Sequence, residues 1–420
     1  MDGARVTSQE AARRLLASAS LRGLAALWPD GELFLTGGAL RDRLLGRRHA
    51  DLDLAVLGDA RAAASRVAAS RGGRCFALGR PPLLTWRVVT ESRHVDFWGI
   101  AGELEADIRR RDFTVNAMFW RLPRGPLIDL VGGLDDLEAG RLRVISSANL
   151  RADPLRVLRG VRLAATRPEL RLTAAAEADL AGAADGVRGV ARERVVEELR
   201  LLLAGSAVGR ALRTAARLGI LAVLRQEWEG YAAVPLVADT ASALARLQRH
   251  GRGALASGAR EVAPALLAAP AAGLPGTWHA PRAVEALLAI GWPPAASDRA
   301  AAAAGIGERV QRLLGGDPRA VHEAAVAAGG RFEAALAWAT ARATAEGREP
   351  LAETAGLLRW WQRFASRPPL LGGDEIAQVL ALPPGPRRAE AVVALRRAQA
   401  RGLVRTRAEA LEFLTSPRAR

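Results

Sequence analysis

The stretch His49-Ala50-Asp51-Leu52-Asp53-Leu54-Ala55-Val56 alternates polar and apolar side chains with the period of a β-strand. That period puts Asp51 and Asp53 on one face and Leu52 and Leu54 on the other. Two carboxylates at i and i+2 can share divalent metal ions, the geometry that two-metal phosphoryl or nucleotidyl transfer requires. One ion activates the attacking oxygen and the other steadies the leaving pyrophosphate. The plainer alternative is a solvated strand face carrying two exposed acids. Asp96, in the later segment HVDFW, could stand beside the pair as a third carboxylate or be an ordinary strand-end acid.

Three further segments could hold an anionic substrate. LFLT runs into Gly37-Gly38 and then ALRDRLLG, so a strand passes through two glycines into a helix that ends at Gly46. Glycines there let backbone amides approach a phosphate, and the helix N-terminus adds partial positive charge. The same turn also occurs for purely structural reasons. Arg41, one turn into the helix, points toward the same anion. In Arg109-Arg110-Arg111-Asp112, the guanidinium groups suit a triphosphate and the carboxylate suits a ribose hydroxyl. In Ala152-Asp153-Pro154-Leu155-Arg156, Asp153 and Arg156 lie three apart on one helix face, with Arg159 and Arg162 following around it. Asp153 reads equally well as the N-cap before an N1 proline.

These residues need a sheet and helices to hold them. Strand signals are confined to residues 32–130: ELFLT (32–36), DLDLAV (51–56), LTWRVV (84–89), RHVDFW (93–98) and AMFWRL with PLIDL (117–130). Helical patterns separate them, and from about 150 onward Leu and Ala recur at helical spacing between Arg and Glu. The chain therefore reads as α+β, a mixed-sheet head followed by an all-helical remainder. An amphipathic helix is expected at the N-terminus, within 1–31. Gly/Pro-rich breaks at 269–276, 292–296 and 367–373 divide the helical part.

Composition narrows the partners. At 420 residues, half of them hydrophobic, the chain can bury ample cores in two or three domains. All 60 basic residues are Arg against 44 acidic ones, a net charge of +16 that favours a polyanionic partner. The Arg-only, Ala-rich usage also matches a GC-rich coding bias. The single Cys75 excludes an internal disulfide and a four-cysteine zinc site, which points to the reducing cytoplasm. No signal-peptide pattern opens the chain and no apolar run has the length of a membrane span, so no membrane partner is expected. The five histidines, His49, His94, His250, His279 and His322, are scattered, and none is followed by Asp.

Taken in order, TGGALRDRLLGRRHADLDLAV, RRRDFTVNAMFW, IDLVGGLDDLEAGRLRVI, ADPLRVLRGVRLAA and RERVVEEL (192–199) resemble the class II tRNA nucleotidyltransferase and bacterial poly(A) polymerase family. The resemblance covers about 33–200. Beyond it, only GGDEIAQVLALPPGPRRAEAVVALRRAQARGLVRTRAEALEFL is similar to the family's tail. It implies a polymerase-beta-like nucleotidyltransferase head at 32–145, a helical neck carrying the nucleotide-selecting motif at 146–205, a helical body at 206–366 and an RNA-binding tail at 367–420. It also implies that Asp51 and Asp53 are catalytic and hold Mg2+. Gly37, Gly38, Arg41 and Arg111 would contact the incoming nucleotide, with Asp112 near its ribose. Asp153 and Arg156 would pair with the base edge as a protein template, and Arg159 and Arg162 would be further nucleotide contacts. Ala152 replaces the Glu of the family's Glu-Asp-x-x-Arg motif, which is expected to loosen the positioning of Arg156. Asp129 and Gly133 match a hinge motif between head and neck, and the HD phosphohydrolase domain of many relatives has no counterpart in this sequence.

The activity so implied is template-independent addition of CMP and AMP, from CTP and ATP, to the 3′ end of tRNA by in-line attack of the terminal 3′-hydroxyl on the α-phosphate. A poly(A) polymerase would share every head motif. A non-catalytic RNA-binding relative is disfavoured, because a protein that only binds polyanion gains nothing from adjacent carboxylates. Family members that complete CCA carry a longer segment between the first two motifs. Here only GIAGELEADIR (99–109) joins HVDFW to Arg110. Addition of CC alone is therefore expected, with a second enzyme supplying the terminal A.

Overall fold

The computed structural model describes residues 19–28, 32–47, 51–79, 84–91, 94–100, 102–123, 125–251 and 253–416. Of the helix expected within 1–31, Ala19–Ala26 is helical; residues 1–18, like His49, lie outside the described residues. The chain divides into two units, Met1–Gly160 with Pro168–Val187, and Val161–Arg167 with Arg188–Arg420.

The first unit is built on a mixed seven-stranded sheet. Its strands are β1 (Glu32–Thr36), β2 (Leu52–Leu57), β3 (Arg74–Leu78), β4 (Thr85–Val89), β5 (His94–Gly99), β6 (Phe119–Arg121) and β7 (Leu127–Ile128), in the order β3-β4-β5-β2-β1-β6-β7. β2 and β5 run parallel, and every other neighbouring pair is antiparallel. A parallel pair needs a long crossover, which here contains the helix Ala60–Arg71 and the β3-β4 hairpin. Leu33, Phe34 and Leu35 of β1, Leu52, Leu54 and Val56 of β2, and Val95 and Phe97 of β5 are all buried, so apolar burial sets the pairing. Asp53, between two buried leucines of β2, is left on the opposite face. β3 gave no strand signal because it is an edge strand whose Arg74, Phe76 and Ala77 are exposed, without an inward apolar set.

The helix-rich sequence after the sheet is interrupted by two-residue strands, β8 (Arg141–Leu142) and β9 (Arg171–Leu172), which pair in parallel. Before them, the Asp129 carboxylate accepts the amides of Val131, Gly133 and Leu134 at 3.3, 2.9 and 2.8 Å, which organises the start of the helix Gly133–Glu138. A Cβ at position 133 would fall 2.3 Å from the Thr114 carbonyl oxygen, so only glycine lets these segments meet.

The second unit is helical. Its helix Phe332–Ala345 is buried along most of its length, with Phe332 and Trp338 fully covered. The helix Pro294–Leu313 approaches it closely at Gly307, where a Cβ would stand 2.7 Å from the Ala335 carbonyl oxygen. Inside that core the Glu308 carboxylate accepts from Trp338 Nε1 at 2.7 Å and from Arg342 Nε at 2.8 Å, satisfying a charge that would otherwise be costly to bury. Leu371, Ile376, Leu395, Val404 and Leu414 form a further core that joins the helices Gly373–Val379, Pro386–Ala400 and Arg407–Thr415. Among the described residues no helix is long and apolar enough to cross a membrane.

Candidate active site

Asp53 sits where β1 turns into the helix Gly37–Leu44. Its Oδ2 accepts the Ala39 amide at 3.3 Å, within the first turn of that helix. Gly37 has φ +65°, and a Cβ there would stand 3.0 Å from Asp53 Oδ2, so the glycine meets both a backbone and a space requirement. Asp51 immediately precedes β2; its side chain is more than half exposed, and its Oδ1 accepts the His94 amide at 3.2 Å. Asp96 is the β5 partner of Asp53 in register, but its two oxygens receive Arg87 Nε and Nη2, each at 2.7 Å. The third carboxylate offered by the sequence is thus already engaged. Arg87 has its pKa raised chiefly by that hydrogen bond, opposed by burial, with the charges of Asp96, Asp51 and Asp53 adding to the rise. Arg87 is the cation that offsets three neighbouring acids.

The arginines expected to meet a nucleotide are tied into one network. Arg41 is buried, donating to Asp42 Oδ1 through Nε at 2.9 Å and Nη2 at 2.7 Å, and to Asn116 Oδ1 through Nη1 at 2.6 Å. Asn116 Nδ2 in turn donates to Asp112 Oδ1 at 3.2 Å, and Arg159 Nη1 donates to Asp112 Oδ2 at 3.0 Å. Asp112 is buried and also accepts the Phe113 amide at 2.7 Å. Burial alone would raise its pKa, but Arg159, the Phe113 amide and Asn116 outweigh that and hold it below the ordinary carboxylate value. Arg111 donates through Nη2 to Asp107 at 3.0 Å and through Nη1 to the Asn116 carbonyl at 3.2 Å, and its guanidinium lies 4.4 Å from the Phe119 ring centroid and 5.2 Å from that of Trp98. Burial pushes its pKa down, partly countered by Asp107, Asp112 and Asp53. Asp107, buried on the helix Leu104–Arg109, also binds Arg110.

Asp153 ends the helix Ser147–Ala152, and its carbonyl accepts the Arg156 amide at 3.0 Å. Its carboxylate stands 3.8 Å from Arg156 Nε. Arg156 Nη1 donates to the Arg110 carbonyl at 2.7 Å and the Asn149 carbonyl at 3.3 Å. Burial lowers the Arg156 pKa, with Asp112 and Asp153 opposing and Arg159 and Arg110 reinforcing the fall. Arg110, Arg111 and Arg156 line a cavity of about 190 Å³ with Trp98, Thr85 and Leu84. Arg162 is the exception among the expected nucleotide contacts. It belongs to the second unit, where its Nε donates to Glu198 Oε2 at 2.6 Å.

Sequence reasoning missed Asp107, Asn116, Asn149 and Trp98. Asp107 lies three and four residues before Arg110 and Arg111, a spacing that signals helical ion pairs. The other three carry no such local signal.

Comparison with known proteins bears on the whole chain. Residues 33–143 match the model of the poly A polymerase head domain. A CC-adding tRNA nucleotidyltransferase of Geobacter sulfurreducens is 32% identical across 95% of this chain and 94% of its own. The chain belongs to the class II tRNA nucleotidyltransferase family. A CC-adding family member from Thermus thermophilus is 40% identical over 47% of this chain, and an A-adding member from Deinococcus radiodurans 41% identical over 44%. The chain spans a little under half the length of these two, 45% and 43% respectively. Among solved structures, the Thermotoga maritima CCA-adding enzyme complexed with tRNA superposes with a TM-score of 0.69 over 97% of both chains, at 18% identity. That likeness establishes the shared nucleotidyltransferase fold.

Members of this class II family generally use a divalent metal ion. The residues present fit one. Asp51 and Asp53 supply hard oxygen donors, and the glycine pair leaves the space beside Asp53 that a Cβ would fill. Among the described residues no third His, Cys, Asp or Glu completes a metal cluster. A bound ion would therefore draw its remaining ligands from water and substrate oxygens.

Proposed function

We propose that this protein is a CC-adding enzyme, transferring two CMP units from CTP to the 3′ end of tRNA without a nucleic-acid template. The observation that carries the chemistry is the Asp51–Asp53 pair, with Asp53 at the Gly37-Gly38 turn and the networked Arg41, Arg111 and Arg159 in the same unit. In this reading Gly37, Gly38, Arg41 and Arg111 hold the triphosphate, and Asp153 and Arg156 read the base edge. Arg159 and Asp112 brace that set. Mg2+ suits a two-carboxylate set because it keeps several waters and binds through few carboxylates plus substrate phosphates. Bound there, it would neutralise charge developing at the α-phosphate. The substrates put this work in the cytoplasm.

Restriction to CC is supported by the connection at 99–109. It contains the short helix Leu104–Arg109, whose Asp107 is buried and tied to Arg110 and Arg111, so the segment is pinned to the nucleotide-binding arginines. The near full-length relative is likewise a CC-adding enzyme. In the division of labour proposed for the chain, the head at 32–145 carries the chemistry and the neck at 146–205 the choice of nucleotide. The body at 206–366 and tail at 367–420 hold RNA.

The deciding experiment supplies tRNA ending at its discriminator base with CTP and ATP, separately and together, and sequences the 3′ ends. Ends in CC, unchanged by ATP, are expected. Efficient addition of A to tRNA already ending in CC would overturn the CC restriction and leave full CCA addition. Runs of A formed without CTP would instead identify a poly(A) polymerase. With a charge of +16, RNA binding should also weaken steeply with salt. For roughly four phosphate contacts, filter binding should show about a hundredfold loss between 50 and 200 mM salt. A flat salt profile would contradict an Arg-to-phosphate interface.

A further inference from the structure

Ala152 offers Arg156 only a methyl group, yet the Arg156 guanidinium is held firmly. Both of its hydrogen bonds among the described residues leave from Nη1, to the carbonyls of Arg110 and Asn149. Its Nε is buried, with no hydrogen-bond partner among those residues. A buried, unspent donor is costly unless a ligand takes it up, and this one belongs to a side chain that lines the 190 Å³ cavity beside Trp98. The Nη1 end is anchored, whereas Nε makes no hydrogen bond among the described residues and has the Asp153 carboxylate 3.8 Å away.

The anchor depends on Asn149. This residue sits on the helix Ser147–Ala152, which Ser146 caps through the Ala148 amide at 3.1 Å. Asn149 Nδ2 donates to two carbonyls, Arg109 and Arg111, each at 2.7 Å. The carbonyl between them, Arg110, is the one that Arg156 takes. Asn149 and Arg156 therefore grip three successive carbonyls of the same segment, and the Asn149 carbonyl itself accepts from Arg156. The side chains of Arg110 and Arg111 are fixed in turn by Asp107. Both donors of the Asn149 side chain go to backbone carbonyls, so they can be removed without replacing either carboxylate of the Asp51–Asp53 pair.

We propose that Asn149 is a positioning residue for nucleotide choice: by holding the backbone of Arg109 and Arg111, it fixes where the guanidinium of Arg156 stands beside the cavity that this side chain lines. The inference rests on the reading of Arg156 as the base-edge contact. A guanidinium edge can donate to the O2 and N3 acceptors of cytosine, while Asp153 can accept from its amino group; uracil presents the wrong pattern to both. Discrimination of that kind survives only if the edge is fixed to a fraction of an ångström. Without Asn149, the carbonyls of Arg109 and Arg111 lose their donors, and the segment that anchors Nη1 is free to shift.

The test compares Asn149→Ala, which removes both donors, with Asn149→Ser, which keeps a shorter one. Steady-state extension of tRNA should show the KM for CTP raised about tenfold in Asn149→Ala, and the preference for CTP over UTP reduced about tenfold, as expected for two lost hydrogen bonds. The kcat should change little, and Asn149→Ser should fall between wild type and Ala. Thermal melting establishes that each variant is folded, and the Ser variant carries the test if Ala does not fold. A uniform fall in kcat for both nucleotides, with KM and preference unchanged, would overturn the proposal in favour of a purely structural role. Equilibrium dialysis of CTP against wild type and variants separates the two readings. If wild-type protein extends no tRNA, the functional reading fails. Equal CTP affinity of wild type and the folded Ala variant overturns the role of Asn149 alone.

Discussion

Asp53→Ala should reduce nucleotide incorporation to about a thousandth of wild type or less, because losing a carboxylate at a metal-assisted transfer site removes several kcal/mol of transition-state stabilisation. RNA affinity should be equal or slightly higher, since negative charge is lost near the RNA end. One structural cost is that the Ala39 amide loses its acceptor at 3.3 Å, a loss of about 1 kcal/mol. Asp53→Asn separates the two effects. It keeps an oxygen for the Ala39 amide and nearly the same volume, yet lacks the charge, so it should melt like wild type and remain close to inactive. Asp51→Ala should behave alike, with less effect on folding because its side chain is more than half exposed. Gel-based extension with labelled CTP, alongside filter binding of the same tRNA, checks both halves. Residual incorporation above roughly a tenth of wild type in both Ala variants would remove the pair from the chemistry. Loss of RNA binding in parallel with activity would point to a folding defect.

The carboxylate pair was legible because strand alternation is local. Leu52 and Leu54 had to face the core, and Asp53 could then only face away. β1 was legible by a different local signal, its Leu33, Phe34 and Leu35 forming a short continuous apolar run between turn-forming residues. What local pattern could not reveal is which polar groups meet across the fold. Asn116 looked like one residue in a motif, yet it joins Arg41, 75 positions away, to Asp112. Asp96 looked like a candidate metal ligand because strand spacing says nothing of the neighbouring strand, where Arg87 stands opposite it in register. Asp112 was matched to a ribose by residue type and by resemblance; what neither revealed is that its oxygens accept from Phe113, Asn116 and Arg159, the last 47 positions away. Residue types reveal the chemistry a segment can do, whereas partners depend on the register and crossovers that only the assembled sheet defines.

That network makes replacement of Asp112 costly in stability. In Asp112→Asn, one amide oxygen can still accept from Phe113, but the amide NH2 would face Arg159 Nη1, donor against donor. The expected loss is about 2 kcal/mol, less than for a fully buried pair because Arg159 is a third exposed and regains water. CTP binding should weaken less than stability, since Asn116, and through it Arg41, keeps its brace on the oxygen that also takes the Phe113 amide. The pH dependence has a definite sign. Arg159, the Phe113 amide and Asn116 together outweigh burial and hold the folded pKa of Asp112 below its unfolded value. The carboxylate therefore adds stability at pH values above the unfolded pKa of about 4, and that contribution disappears as pH falls through the folded pKa. Asn cannot titrate. In urea unfolding, the gap between wild type and Asp112→Asn should be full at neutral pH and narrow on acidification below about pH 4, as the wild type gives up what the variant never had. A gap that stays constant down to pH 3 would mean that the Asp112 charge does not hold this network together.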